Sequence, residues 1–172
     1  MCHTFNDLFL RQLRKLHDIE LKHLSLLPHL FRASETEELR DFFQAHLEET
    51  RNQITRLDEV FGLIGADSTR LSCSTMEWLV RECEELLEEE KDPSALRDAA
   101  VIASSQCIEH HEIAEYGVCR TYAQELGLSR AAALLQTSLG EEIAADERLT
   151  LLAEGSLFHT GINARAHEAS VA

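Results

Sequence analysis

Two interruptions divide this chain into long helical arms, and both are flanked by acids at matching distances. Around Arg32-Ala33-Ser34-Glu35, Glu20 and Glu49 are nearly equidistant from the break. Around Glu125-Leu126-Gly127-Leu128-Ser129, the pairs Glu109 with Asp146 and Glu112 with Glu142 are symmetric about Gly127. Antiparallel helices rise equally per residue, so side chains equidistant from a tight turn meet side by side. Two such hairpins packed together would gather carboxylates near the middle of a bundle, where uncompensated charge is costly. A pair of divalent metal ions is one way to offset that cost.

The chain can build such a bundle. Its 172 residues fit one domain with a substantial core, and 44% apolar content with two prolines and seven glycines argues against disorder. Ala, Leu and Glu dominate, and few β-branched or aromatic runs could form strands. A net charge of -15 without a basic patch argues against binding to nucleic acid or to an anionic membrane. The five cysteines, Cys2, Cys73, Cys83, Cys107 and Cys119, form no Cys-x-x-Cys and read as buried free thiols in a reducing cytosol. With neither a secretory leader pattern nor an apolar stretch of bilayer-spanning length, a cytoplasmic protein is expected.

Thr4 is placed to cap a first helix with the apolar stripe Phe5, Leu8, Phe9, Leu13, Leu16, Leu24 and Leu27, which Pro28 kinks or restarts. A second helix opens at Ser34 or Thr36 and runs to Gly62 or Gly65. After a loop over 67–72, a shorter helix carries Met76, Leu79, Val80, Cys83, Leu86 and Leu87 and ends near Lys91. Asp92-Pro93-Ser94 punctuates the chain before helices over 94–126 and 129–154, with Gly127 as a left-handed cap. The expected fold is all-α: a ferritin-like four-helix bundle of two long antiparallel hairpins, with an extra short helix in the crossover. The bundle is expected over 1–155, with a weakly ordered tail over 156–172.

The ligand candidates fall on shared helix faces. His46, Glu49 and Gln53 recur at i, i+3, i+7; Glu109 and Glu112 at i, i+3; Glu142 and Asp146 at i, i+4. Carboxylates with one or two imidazoles suit iron or manganese. A chain with 31 acids produces accidental pairs of this kind, and for any single acid a solvated face is the plain reading. The run Glu84-Glu85 with Glu88-Glu89-Glu90 is such a face, and Glu77 is ambiguous. His110 and His111 point about 100° apart, so at most one joins Glu109 and Glu112. His23 follows Glu20 by three and lies opposite His46, as a ligand or as a polar neighbour of one. His17, His29, His159 and His167 are assigned to solvent. No phosphate-binding glycine loop, Gly-x-Ser-x-Gly elbow or His-Glu-x-x-His occurs.

Several ordered motifs resemble the bacterial YciE/YciF ferritin-like proteins. They are Ala45-His46-Leu47-Glu48-Glu49-Thr50 with Gln53, Met76-Glu77, Ile108-Glu109-His110-His111-Glu112-Ile113-Ala114 with Tyr116-Gly117, and Glu141-Glu142 with Asp146 and Leu149-Thr150. Glu20, Pro28 and Glu125-Leu126-Gly127 extend the likeness over residues 4 to 153. The resemblance implies a ferritin-like bundle, a homodimer and a role in bacterial stress, without a settled enzymatic activity. The chain departs from the usual di-iron pattern, since Glu49 is followed at the third position by Asn52, and Glu142 by Ala145. His46 is then expected to supply one imidazole from the other side, and Asp146 to replace the second. Glu109-x-x-Glu112 is similar to the corresponding helix of rubrerythrin.

The function expected from these readings is a di-iron or di-manganese centre held by Glu20, His46, Glu49, Glu109, Glu112, Glu142 and Asp146. Glu49 and Glu142 are the preferred bridges. Such a centre would consume O2 or peroxide, or sequester iron. The alternative is a metal-free structural or interaction bundle acting as a dimer; a catalase-like manganese enzyme is a third reading.

Overall fold

In the computed structural model, which describes residues 3–90 and 92–171, the chain is an all-α bundle. Its helices are α1 (Phe5–Ala33), α2 (Glu37–Ile64), α3 (Ser74–Glu89), α4 (Ala95–Glu125), α5 (Ser129–Glu154) and α6 (Ile162–Ser170). Each start has a local cause. Thr4 Oγ1 accepts from the Asp7 amide at 3.1 Å while Asp7 Oδ2 accepts from the Thr4 amide at 3.0 Å, which closes a capping box on α1. Ser94 Oγ accepts from the Arg97 amide and caps α4, and Cys73 Sγ accepts from the Met76 amide at the head of α3. Gly127, at φ 71°, ends α4 in a Schellman turn, with the Leu128 amide bonded to the Ala123 carbonyl at 2.9 Å. Pro28 lies inside α1, which continues through it.

The hairpins α1–α2 and α4–α5 pack with α1 against α4 and α2 against α5, while α3 lies over α1 and α4. This is the ferritin-like arrangement, with its short helix in the long crossover. The two hairpins are tied at one end by the first turn of α4. Thr36 makes no side-chain cap of its own. Buried Asp98 instead accepts from the Glu35 and Thr36 amides at 2.8 and 2.9 Å, and Arg97 donates to the Ala33 carbonyl. The last carbonyl of α1 and the two amides that lead into α2 are thereby satisfied from another helix.

Two apolar clusters fill the bundle, one toward each end. Leu26, Leu30, Phe43, Ile102 and Leu149 belong to the first, and Phe9, Leu13, Leu57, Cys119 and Leu135 to the second.

Several sequence expectations differ from the structure. Residues 156–172 do not run as a weakly ordered tail over their described part. Gly155–Ser156 (β1) pairs antiparallel with His159–Thr160 (β2), and α6 buries Ile162 and Ala166 against α4 and α5. A Cβ on Gly155 or Gly161 would collide with facing backbone, so the close approach depends on both glycines. Two buried residues in a nine-residue helix leave too short a pattern to read. His17 is buried rather than solvent-facing, edge-on to Phe61 at 5.8 Å with Nε2 3.2 Å from Asp58 Oδ1. Cys107 is exposed, while Cys73, Cys83 and Cys119 are buried free thiols; Cys2 lies outside the described residues. No helix among the described residues is long and apolar enough to cross a membrane.

Candidate metal centre

Between the two apolar clusters, the four bundle helices turn polar side chains inward. Glu20 and His23 come from α1, His46, Thr50 and Gln53 from α2, Glu109 and Glu112 from α4, and Glu142 from α5; all are buried. Intervals of three, four or seven residues keep each set on one helix face. Thr50 Oγ1 turns back to the His46 carbonyl at 2.9 Å and leaves the box to the others.

The centre is tightly drawn. One ligand atom from each of His23, His46, Glu109 and Glu112 lies within 4.8 Å of every other. His23 Nδ1 is 2.9 Å from Glu112 Oε2, and His46 Nε2 is 3.2 Å from Glu109 Oε1 and 3.9 Å from Glu142 Oε2. The two rings meet edge to face, 5.1 Å between centroids. Tyr116 donates its phenolic hydrogen to Glu20, and Gln53 Nε2 donates to Glu142.

Even so, the box is under-satisfied. Among the described residues, Glu20 Oε2, His23 Nε2, His46 Nε2, both carboxylate oxygens of Glu109 and Glu142 Oε2 are buried without a hydrogen-bond partner. The 3.2 Å approach of His46 to Glu109 is an ion-pair distance without hydrogen-bond alignment. Buried polar atoms are almost always paired, so a convergent group of orphaned oxygen and nitrogen donors fits a cation. Its donors are four glutamates and two histidines. That is the complement of ferritin-like dimetal carboxylate sites, dealt differently among the helices. Here α1 carries Glu20-x-x-His23, α4 carries Glu109-x-x-Glu112, and α2 and α5 add His46 and Glu142. No cysteine is among them, which favours iron or manganese over thiophilic ions.

Charge is distributed unevenly. Burial, then the charge of Glu112, pushes the Glu20 carboxyl well above the ordinary range, against the opposing bond from Tyr116. Burial, followed by Glu112 and Glu109, does the same to Glu142. Burial works against a charge on His46, but Glu109, Glu49 and Glu112 outweigh it and hold its proton up to about 10. Burial likewise opposes ionisation of Glu109, yet His46 and then His23 bring it to about 2.

Five of the seven acids and histidines expected at the centre are brought together: Glu20, His46, Glu109, Glu112 and Glu142. The other two stand at its margin. Glu49 is 32% exposed and bonds His46 Nδ1 and Arg148, each at 3.1 Å. Asp146 accepts from Gln106 Nε2 at 3.1 Å and lies 3.4 Å from exposed His110. Glu77 is at the surface, 3.0 Å from Lys22. Gln53 and His23, left open by the sequence, are both inside. The sequence reading did not identify Tyr116 as a hydrogen-bond donor to the box, although its helical spacing from Glu109 and Glu112 placed it on their face.

Residues 4–166 match a family described as a domain of unknown function, DUF892. The chain is 41% identical over 154 residues to Protein YciF of Escherichia coli strain K12, covering 87% of this chain and 90% of that one. The crystal structure of the E. coli stress protein YciF superposes with a TM-score of 0.83 at 40% identity, covering 87% of this chain and 94% of the other. YcfI of Rhodopseudomonas palustris, provisionally described as a structural protein, superposes with a TM-score of 0.84 at 36% identity over 88% and 96%.

Proposed function

We propose that this chain, which belongs to the DUF892 family and is YciF-like, holds two iron ions, with manganese as the alternative, in a stress-protective role. The observation that carries this reading is the convergence of unpartnered donor atoms from Glu20, His23, His46, Glu109 and Glu142, with Glu112 beside them. A stress-associated relative supports the biological setting. Held by these side chains, a ferrous pair would supply the two electrons that, with two protons, take one peroxide to two waters; otherwise the site would serve to sequester iron.

The side chains prepare the box for this. Apolar layers above and below keep bulk water out. His46 offers its Nε2 once its proton leaves, His23 adds a second imidazole, and four carboxylates balance two divalent charges. Glu20 and Glu142, whose carboxyls favour the protonated form, give up protons as cations enter. Cytoplasmic placement and a homodimer belong to the same proposal, the dimer being tested by light scattering for twice the chain mass.

The experiment is an anaerobic Fe(II) titration of chelator-stripped protein, followed by oxygen or peroxide and near-ultraviolet absorbance. Two Fe(II) per chain with rapid oxidation supports the reading, and the Glu109→Ala, Glu112→Ala double variant should bind neither ion. A metal-free scaffold has its own support, since His23 Nδ1 already meets Glu112 Oε2 at 2.9 Å and His46 lies at ion-pair distance from Glu109. Absence of saturable binding would select the scaffold.

A further inference from the structure

The placement of Glu49 separates its role from that of the other acids. Its carboxylate reaches back one turn along α2 on the outer side of His46, and one oxygen, Oε2, meets both His46 Nδ1 and Arg148 Nη2 at 3.1 Å. The guanidinium of Arg148 also lies over the Phe42 ring at 5.1 Å, and Phe42 stacks on the His46 imidazole at 5.5 Å with 17° between planes. The His46 ring is therefore held on its face by Phe42, on one edge by His23 and at Nδ1 by Glu49. Its Nε2 is turned toward Glu109, buried and without a hydrogen-bond partner.

Resting on the metal reading above, we propose that Glu49 is a positioning residue, anchored by Arg148, which fixes the His46 ring so that Nε2 faces the metal, and is not itself a ligand. An imidazole that donates Nδ1–H to a carboxylate presents a more basic Nε2 in one orientation, and losing such a partner commonly costs about 10–100-fold in metal affinity. Arg148 donates to the same oxygen, Oε2, that meets His46 Nδ1, and so ties the carboxylate to the outer side of the ring. Four glutamates and two histidines complete the donor set without it.

Cobalt(II) is the probe, titrated into the intact protein and into Glu49→Ala, Glu49→Gln and Arg148→Met. Two Co(II) per chain in every variant are expected, with the visible ligand-field bands kept in position and affinity lower in Glu49→Ala by about 10–100-fold. Glu49→Gln, whose amide oxygen still accepts from Nδ1–H, should recover most of that loss, and Arg148→Met should fall between. Loss of one Co(II) from both Glu49 variants alike, with displaced bands, would make Glu49 a ligand and overturn the proposal. No Co(II) binding by the intact protein would instead remove the metal reading beneath it. The orientation has a metal-free readout: a downfield, slowly exchanging His46 Nδ1–H proton resonance, retained in Glu49→Gln and lost in Glu49→Ala. Its absence from the intact protein would equally refute the clamp.

Discussion

The bundle has two kinds of interior, and each of the four long helices, α1, α2, α4 and α5, passes through both. Along α1, Phe9, Leu13 and Leu16 give way to Glu20 and His23 and then to Leu26, Leu27 and Leu30; along α2, Phe42 and Phe43 give way to His46, Thr50 and Gln53 and then to Leu57 and Val60. The apolar layers need nothing beyond themselves, since burial of hydrocarbon and close packing stabilise them. The polar layer is stabilising only if its charges and donors find partners, and several have none among the described residues. The end layers therefore supply fold stability, while the middle gathers buried polar groups at a cost that a bound cation would relieve.

The largest effect should come from the apolar side. Leu13 is fully buried, and Leu13→Ala should lower unfolding free energy by about 2–5 kcal/mol. Urea unfolding measures it. The drop should be the same with and without metal when the cavity leaves the centre undisturbed, and a metal-dependent difference would show that the layers are coupled.

Converting part of the middle layer into end-layer chemistry should act in the other direction. Gln53 Nε2 donates to Glu142 Oε1, so replacing both with leucine removes donor and acceptor of that bond together. The Gln53→Leu, Glu142→Leu pair should be neutral to about 4 kcal/mol more stable than the metal-free parent, and should lose metal-dependent gain in melting temperature. A markedly less stable double variant would mean that the metal-free box is already well compensated.

The sequence exposes this layering because helix geometry is regular. Breaks at Ser34 and Gly127, and the caps Thr4, Ser94 and Gly65, follow from local chemistry, and the helix bounds fall within a few residues of expectation. Counting outward from the turns also brings Glu20, His46, Glu109, Glu112 and Glu142 to one level, and His23 opposite His46. Glu49 and Asp146 show where counting fails. Each shares a helix face with an inward residue but sits at its flank, and an exposed arginine or a neighbouring glutamine decides which way the carboxylate turns. Gln106 Nε2 donates to both Asp146 and Thr150, so Asp146 meets Gln106 rather than Glu109. Asp98 and Arg97 look like an ordinary charged first turn; only tertiary placement makes them the tie between hairpins.

The subtlest contrast is in pH. Stability follows the difference in bound protons between unfolded and folded chains. Glu20 and Glu142, raised in the fold above 4.5, bind more protons folded than unfolded, so their contribution falls as pH rises from that point. His46, raised from 6.5 to about 10, contributes fully below 6.5 and loses its contribution between 6.5 and 10. Glu109, lowered from 4.5 to about 2, contributes above 4.5 and loses its share as pH falls toward 2. The box of metal-free protein is thus best accommodated near pH 4.5, and each extra folded-state proton costs about 1.4 kcal/mol per pH unit between its unfolded and folded pKa. Metal reverses the slope, because cations displace those same protons and bind more tightly as pH rises. Melting temperatures from pH 5 to 8 should fall for stripped protein and rise for the metal-dependent increment. Tyr116 sharpens the contrast, for it packs in an apolar layer while its hydroxyl holds Glu20 down. Tyr116→Phe should cost about 1 kcal/mol and extend the alkaline decline of the stripped protein to higher pH. An unchanged profile would place the Glu20 proton outside the folding equilibrium and leave His46 as the source of the slope.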